Sequence, residues 1–263
     1  MERRGEEERL LIARIEDLAD RAAGGELSFT DFLSPREIFM AEVELRRRGV
    51  SYRTFGGSPD AERRCVYFLP DYMEGEEELP LLLENYGMET GISALQIRGS
   101  GYRTLTHRDF LGSILALGLQ RSVIGDIFVD GEGREATVFC REAMAEFLST
   151  ALETVGNDKV KVRILKSSEI DLPKRRYAAL TDTVASERLD CVVAALCGCS
   201  RERARETVVS GLAELNYESE DRPDRPVSEG ALISVKGVGK FRIVGLSDRT
   251  KKGRLRLTAE KFL

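Results

Sequence analysis

The residues best suited to chemistry lie near the carboxyl terminus, where a serine and three arginines open a predicted helix. Ser200 is a plausible helix cap, and Arg201 and Arg205 lie one turn apart along one flank, while Arg203 lies on another face. The unpaired backbone N–H groups of a helix start, together with a hydroxyl and guanidinium groups, suit phosphate oxygens. Arg188, at the start of the preceding predicted helix, is a further candidate. The pattern predicts a phosphate-binding site.

A second set of cations lies in a glycine-rich turn and in the last predicted strand. Lys236 and Lys240 flank the turn, and Arg242 lies in the strand after it. Charged and apolar residues alternate up to position 257, which places Arg254 and Arg256 on one face of a predicted edge strand. Two interpretations of that stripe stay open, contact with the phosphates of a ligand or protection of an edge from aggregation. The candidate phosphate-contacting residues of the chain are Arg188, Ser200, Arg201, Arg203, Arg205, Lys236, Lys240, Arg242, Lys251, Lys252, Arg254 and Arg256.

Residue counts argue against several kinds of catalytic and metal site. His107 is the only histidine, which excludes a histidine-based triad and a multi-histidine metal site. The five cysteines include no CxxC pair, which makes a zinc site or a disulfide framework improbable. No complete dinucleotide-binding or P-loop glycine pattern occurs. We therefore expect no catalytic residue, no cofactor and no metal ion.

The balance of charge changes along the chain. The formal net charge is -5, and the pI is about 5.3. From residue 183 onward there are 15 Lys and Arg against 12 Asp and Glu, whereas the preceding residues have 25 against 33. A basic carboxyl-terminal part on an acidic body is compatible with a nucleic-acid partner. Because no apolar run approaches the roughly 18 residues of a membrane span, we expect a cytoplasmic protein without a membrane partner.

The elements that position these residues fall into three predicted domains, which indicates a multidomain α+β fold. Residues 1–74 are predicted to form a small amino-terminal α+β domain with two helices and two strands. Ser34-Pro35 is a good cap and first-turn pair for its second helix. The predicted elements cover residues 9–22, 35–48, 50–55 and 64–69.

Residues 75–166 are predicted to form a domain with the element order β-α-β-β-α-β. This is the order of a ferredoxin-like domain, which RNA-recognition domains share. Such domains display aromatic residues on their central strands for base stacking. Because the strands over residues 92–98 and 135–141 offer only Phe139, RNA contact by this domain stays open. The predicted elements cover residues 92–98, 106–117, 124–129, 135–141, 142–155 and 159–165.

A linker, residues 167–182, is predicted to lead into a third domain, residues 183–263. The first helix of this domain has an apolar stripe at helical spacing, with Arg188 and Asp190 away from the centre of the stripe. The second helix directs Ala204, Val208 and Leu212 towards the core. Strands follow, with the basic glycine-rich turn between two of them.

The third domain resembles an S4 RNA-binding domain, and the whole chain resembles the YlmH family of bacterial and chloroplast S4 proteins. The S4 resemblance rests on Arg188-Leu189-Asp190, Ser200-Arg201, Ala204, Gly211, Asn216 and Glu229-Gly230. The family resemblance rests on residues 234–241, on the basic last strand, and upstream on Phe55-Gly56-Gly57, Ala61-Glu62-Arg63, residues 105–112 and Ile124-Gly125-Asp126. Ala231 departs from the S4 pattern, which often has Asp there, and this affects turn capping more than RNA binding.

The resemblance implies a non-catalytic protein that binds structured RNA, either ribosomal RNA or tRNA. It further implies binding to large ribosomal subunits that still carry peptidyl-tRNA, in the rescue of stalled translation, and an association with cell division. Arg188, Ser200 and Arg201 would face the RNA. Two rival functions stay open, an RNA-modifying enzyme that grips its substrate with the S4 domain and an adaptor whose acidic body docks a protein. The oligomeric state is not predicted.

Overall fold

The structure, a computed structural model, describes residues 2–73, 75–173, 177–246, 250 and 253–262. The chain divides into two compact units, Met1–Pro173 and Lys174–Leu263. Both units combine helices with antiparallel sheets, so the predicted α+β class is confirmed. No helix in the described ranges is both long enough and apolar enough to cross a membrane.

The first unit begins with helices packed against a small sheet. Its first elements are α1 (Glu2–Ala23), β1 (Ser28–Phe29), α2 (Pro35–Arg48), β2 (Tyr52–Phe55), β3 (Cys65–Phe68) and α3 (Leu79–Asn85). The strand order is β1-β3-β2. α2 begins where predicted because Ser34 and Glu37 form a capping box, in which the Ser34 N–H donates to the Glu37 carboxylate at 2.6 Å. α3 lies in a stretch for which no helix was predicted.

The central part of the first unit contains the predicted order β-α-β-β-α-β, with a short hairpin added before the last strand. The elements are β4 (Ile92–Arg98), α4 (His107–Ala116), β5 (Ile124–Val129), β6 (Glu135–Arg141), α5 (Ala145–Ala151), β7 (Thr154–Val155), β8 (Asp158–Lys159) and β9 (Lys161–Leu165). The four long strands form an antiparallel sheet of order β5-β6-β4-β9. One face of this sheet packs on α4 and α5 through a core that includes Leu95, Phe110, Val138 and Leu148.

The opposite face of the central sheet is covered by the amino-terminal part of the same unit. Phe139 is 1% exposed and belongs to one apolar cluster with Phe32, Tyr67 and Leu82. Phe139, the one aromatic residue that the sequence offered for base stacking, therefore has almost no exposed surface on which a base could stack. The predicted domain boundary at residue 74 stays a prediction, and this cluster joins residues from both sides of it.

Two glycines and an arginine allow this close fit. A Cβ atom on Gly57 would lie 2.2 Å from Cδ1 of Phe139, and one on Gly125 would lie 2.7 Å from Cε1 of Phe32. Arg63 donates from Nη2 to the main-chain oxygen of Phe32 at 2.8 Å, and burial lowers the pKa of its guanidinium group. These three residues belong to the upstream motifs of the family resemblance, and their contacts here are structural.

The second unit packs two helices on one face of a six-stranded antiparallel sheet. Its elements are β10 (Tyr177–Val184), α6 (Leu189–Cys197), α7 (Arg201–Val209), β11 (Ala213–Leu215), β12 (Glu218–Ser219), β13 (Leu232–Val235), β14 (Gly239–Gly245) and β15 (Leu255–Phe262). The strand order is β10-β15-β14-β13-β11-β12. The core between helices and sheet includes Val192, Val193, Ala204, Val208, Phe241, Ile243 and Leu257.

Three expectations for this unit were wrong. Residues 177–182, assigned to a linker, belong to β10, which pairs with β15 from Tyr177 opposite Phe262 to Val184 opposite Leu255. β15 therefore lies between β10 and β14, so its charges do not protect a sheet edge. Leu212 was expected in the core but is 40% exposed, because α7 has already ended at Val209.

Candidate nucleic-acid interface

The starts of α6 and α7 are joined through one buried carboxylate. Asp190 is 1% exposed and accepts hydrogen bonds from Nε and Nη2 of Arg188 at 3.1 and 3.2 Å. Its Oδ2 accepts from Nε of Arg201 at 3.1 Å, and its Oδ1 accepts from the Cys191 N–H at 2.9 Å. The sequence placed Asp190 away from the centre of the apolar stripe and did not predict that its carboxylate is buried. The structure thus brings together Arg188 and Arg201, two of the predicted site residues.

The Asp190 carboxylate is ionised at neutral pH. Burial by itself raises the pKa of Asp190, but hydrogen bonds and charge from Arg188 and Arg201 outweigh burial and lower the pKa. Hydrogen bonding to Asp190 in turn raises the pKa of Arg188. The two arginine side chains remain 41% and 57% exposed. A fixed carboxylate therefore orients two guanidinium groups at the surface before any ligand binds.

The start of α7 has the predicted cap and presents further cations. Ser200 accepts a hydrogen bond on Oγ from the Arg203 N–H at 3.3 Å, so its hydroxyl is the cap of the helix. Arg201 uses only Nε towards Asp190, and its Nη atoms have no hydrogen-bond partner in the part of the chain that the structure describes. Arg203 and Arg205 are exposed along the same helix. The free guanidinium edges suit phosphate oxygens.

Arg201 lines a groove of about 430 Å³. Arg254 lines the same groove and donates from Nη2 to the main-chain oxygen of Thr183 at 2.6 Å. Gly198 and Cys199 form part of its wall, between the two helices. Two guanidinium groups therefore border one groove, which is an arrangement suited to an anionic group.

The remaining strand cations lie on the other face of the sheet. Lys240, Arg242 and Arg256 alternate with buried residues of β14 and β15 that pack on the helices. Their side chains therefore project from the outer face of the sheet, which is the face opposite the helices. The sheet separates them from the arginines at the helix starts. The predicted stripe is also divided, because Arg254 borders the groove instead.

Sequence reasoning missed aromatic rings on this outer face. Tyr177 lies opposite Phe262 in the β10–β15 register, and their ring centroids are 5.1 Å apart. The Lys240 Nζ atom lies 5.1 Å from the Phe262 ring centroid, and Cζ of Arg242 lies 5.4 Å from it. Alternation along residues 254–262 was a usable signal for Phe262. Tyr177 could not be found this way, because its segment was assigned to the linker.

The other candidate cations occupy separate positions. Lys236 is exposed in the turn between β13 and β14. Lys251 and Lys252 lie outside the described residues. The described candidates therefore fall into two groups and a single turn lysine. The helix-side group is Arg188, Ser200, Arg201, Arg203, Arg205 and Arg254, and the outer sheet group is Lys240, Arg242 and Arg256.

His107 lies at the start of α4, within the element predicted over residues 106–117. It is the first residue of α4, directly after the cap residue Thr106. Burial and the charge of Arg121 lower the pKa of His107, while Asp126 opposes them. Among the described residues, no group of three or more His, Cys, Asp and Glu side chains could hold a metal ion.

The chain is similar in sequence to a protein family and to a protein of Bacillus subtilis. A family model described as the putative RNA-binding domain in YlmH matches residues 89–169, which contain β4 to β9. The chain is 28% identical over 236 residues to the ribosome-associated protein quality control protein P2 of Bacillus subtilis (strain 168). That alignment covers 89% of this chain and 87% of the relative, so it extends through both units.

A solved structure is also similar to this chain. It is the cell division protein ylmH from Streptococcus pneumoniae, with 21% sequence identity and a TM-score of 0.49. The match covers 63% of this chain and 95% of that chain.

Proposed function

We propose that the chain is a member of the YlmH family, to which its sequence is similar, and that it is a non-catalytic protein that binds structured RNA on ribosomal particles. The observation that carries this proposal is the pair of arginines that one buried aspartate holds at the starts of α6 and α7. Arg188 and Arg201 are already oriented, so a phosphate would meet them with little loss of side-chain entropy. The name of the Bacillus subtilis relative supports a ribosomal particle as the partner.

We assign the two units to known domain types. The element order of residues 75–166 and the sheet order β5-β6-β4-β9 support a ferredoxin-like, RNA-recognition-like domain. The second unit has two short helices on a sheet with basic residues at their starts, which supports the S4 assignment. In this proposal, residues 1–74 form the amino-terminal domain, and β10 joins the S4 sheet.

The RNA-binding surface would be the helix-side group. Ser200 would act through its cap, while Arg188, Arg201, Arg203, Arg205 and Arg254 would contact phosphates. If about five phosphates are neutralised, the logarithm of the affinity should fall against the logarithm of the salt concentration with a slope of roughly -4. Lys240, Arg242 and Arg256 would then form a second surface, since their side chains project from the opposite face of the sheet.

The particle that we propose as the partner is the large ribosomal subunit that carries peptidyl-tRNA after translation has stalled. Binding there would assist the rescue of stalled translation in the cytoplasm. The test is sedimentation of the tagged full-length chain through a sucrose gradient of cell lysate, with RNA from each fraction probed for tRNA that still bears peptide. Comigration with large subunits that carry peptidyl-tRNA supports the proposal.

A matched pair of variants connects the sedimentation result to the proposed surface. Arg201→Gln removes one guanidinium group from that surface, whereas Arg46→Gln removes an exposed, ion-paired arginine from α2. The Arg201 variant should move towards the top of the gradient at moderate salt, and the Arg46 variant should not. Migration at the top for the unchanged protein even at low salt would contradict binding to ribosomal particles and leave a binder of free RNA or an adaptor. A complex that high salt does not weaken would favour a protein adaptor. A modified nucleoside after incubation with RNA and cofactors would favour an enzyme.

A further inference from the structure

The loop between β4 and α4 presents an aromatic ring to solvent. Tyr102 is 94% exposed, which is the highest value among the exposed large hydrophobic side chains in the described ranges. A tyrosine ring has a large apolar surface, and its burial against a partner is favourable. The loop holds this ring away from the protein, so an internal packing role does not explain it.

Hydrogen bonds anchor the loop at both of its ends. The Gly99 N–H donates to the Arg134 main-chain oxygen at 2.8 Å, and the Leu105 N–H donates to that of Gly133 at 2.7 Å, so the loop is fastened to the turn between β5 and β6. In its middle, Gly101 has a φ of +87°, a left-handed conformation that glycine adopts without strain.

A buried carboxylate holds the residue two positions before the tyrosine. Asp158 accepts hydrogen bonds from the N–H of Ser100 at 2.9 Å and from its hydroxyl. The Tyr102 N–H in turn donates to Oγ of Ser100 at 3.3 Å. Hydrogen bonds from Ser100 and the charge of Arg103 lower the pKa of Asp158, so this clamp stays ionised at neutral pH. The ring is therefore displayed on a fixed support.

Cations lie in the loop that carries the ring and in the segments next to it. Arg98 directly precedes the loop, Arg103 follows Tyr102 within it, and Arg134 belongs to the turn to which the loop is hydrogen-bonded. Lys161 lies directly opposite Arg98 in the β4–β9 register and is exposed. An exposed aromatic ring with arginines and lysines around it is the combination that binds unpaired nucleotides, because the ring stacks on a base while the cations contact the backbone.

Two carboxylates partly balance these cations. Arg98 pairs with Glu135 at 2.8 Å, and Arg134 pairs with Glu132 at 3.2 Å. Both arginines remain more than half exposed, so the ion pairs orient them without covering them. Arg98 and Arg134 therefore keep exposed guanidinium edges that suit a phosphate.

From this juxtaposition we infer that Tyr102 and its flanking cations form a second RNA contact, at which an unpaired base stacks on the tyrosine ring. The inference rests on the proposed RNA-binding function and adds a site in the first unit. On the sheet face that an RNA-recognition domain would ordinarily use, the one aromatic ring, that of Phe139, is buried. Stacking by this domain would therefore take place on the loop.

The experiment measures binding of the full-length chain to a fluorescent poly-uridine oligonucleotide of about 12 nucleotides, a length that such sites accommodate. Tyr102→Ala should weaken binding by about fivefold to 100-fold, because the loss of one aromatic stacking partner has an effect of this size. Tyr102→Phe should bind like the unchanged protein, since the ring is kept. Phe147→Ala is the matched control, because it removes an exposed ring from α5. Thermal unfolding of all three variants should show that the fold is intact.

The outcomes separate this inference from the proposed function. Equal affinity of Tyr102→Ala and the unchanged protein would overturn the stacking site, while weaker binding by Arg201→Gln would show that the proposed function survives. An unchanged protein that binds no RNA would overturn both. Normal oligonucleotide binding by Tyr102→Ala together with its loss from ribosomal particles would assign the loop to a protein contact and overturn the RNA site.

Discussion

The Nε atom of Arg201 lies 3.1 Å from Oδ2 of Asp190, and this contact joins the start of α7 to the start of α6. Asp190 also holds Arg188, so one buried carboxylate serves two cations that are 13 positions apart in sequence. Buried charges of this kind contribute more to defined geometry than to net stability. The arrangement makes the proposed RNA surface dependent on an aspartate that RNA need not touch.

Asp190→Asn should therefore weaken both the fold of the second unit and RNA binding. The amide keeps the shape of the side chain but loses its charge, and its NH₂ group would face an arginine. We expect the free energy of unfolding to fall by about 1–3 kcal/mol, measured by urea denaturation followed by circular dichroism. Asp221→Asn, at an exposed position of the same unit, should change it by less than about 0.5 kcal/mol. Equal stability of both variants would show that the arginine pair does not depend on the Asp190 charge.

Stability should also depend on pH through Asp190. Its pKa in the folded protein is below the ordinary value of 3.8, so the unfolded chain binds a proton there more readily. The stabilisation from this carboxylate is complete above that ordinary value and is lost as the pH falls through the lower folded value. The difference in unfolding free energy between the unchanged protein and Asp190→Asn should be constant near pH 7 and should shrink in acid below about pH 4. A difference that stays constant in acid would contradict the lowered pKa.

Reversing both arginine charges should unfold the second unit. The sequence alone predicts that Arg188→Glu with Arg201→Glu weakens RNA binding without unfolding, because both residues should lie outside the apolar stripe. The structure revises that expectation, since the double variant would place three carboxylates together with one of them buried. We expect a loss of about 3–5 kcal/mol, visible in the urea denaturation midpoint.

Arg201→Gln is the better probe of RNA binding because Arg188 still neutralises Asp190. This variant should keep the fold and should reduce the magnitude of the salt slope by about 1. Arg201→Lys should keep the slope, because the charge is kept. Its affinity at each salt concentration should be lower, because an ammonium group lacks the forked geometry of a guanidinium group. Binding titrations over a range of salt concentrations measure both effects, and an unchanged slope for Arg201→Gln would remove this residue from the interface.

Gly57→Ala should destabilise the first unit. A Cβ atom there would lie 2.2 Å from Cδ1 of Phe139, and the φ of +91° is unfavourable for alanine. We expect a loss of at least about 2 kcal/mol in the free energy of unfolding. Gly112→Ala is the control, because nothing lies within 4 Å of its added Cβ and α4 should gain up to about 1 kcal/mol. Equal stability of the two variants would show that the sheet face is not closely packed at Phe139.

Short-range patterns in the sequence were sufficient for the elements that depend on neighbouring residues. Ser34, Pro35 and Glu37 define the start of α2 within one turn, and Ser200 defines the start of α7 in the same way. The element order of the central part also followed from periodicity, since each strand and helix there has its own apolar pattern. The basic residues at the helix starts could be chosen as candidates for the same reason.

Only the tertiary structure decided which of these residues meet. Tyr177 to Val184 form a strand because β15 offers them a hydrogen-bonding partner more than 70 residues later in the chain, and a polar segment has no local signal for that pairing. Asp190 is buried because Arg201 reaches it from the next helix, and Phe139 is closed off because the amino-terminal part covers its sheet face. The sequence by itself determined where helices begin and where cations concentrate, since those features depend on local chemistry. Burial, pairing and the separation of the cations onto two faces depend on contacts between distant segments, so only the folded chain could decide them.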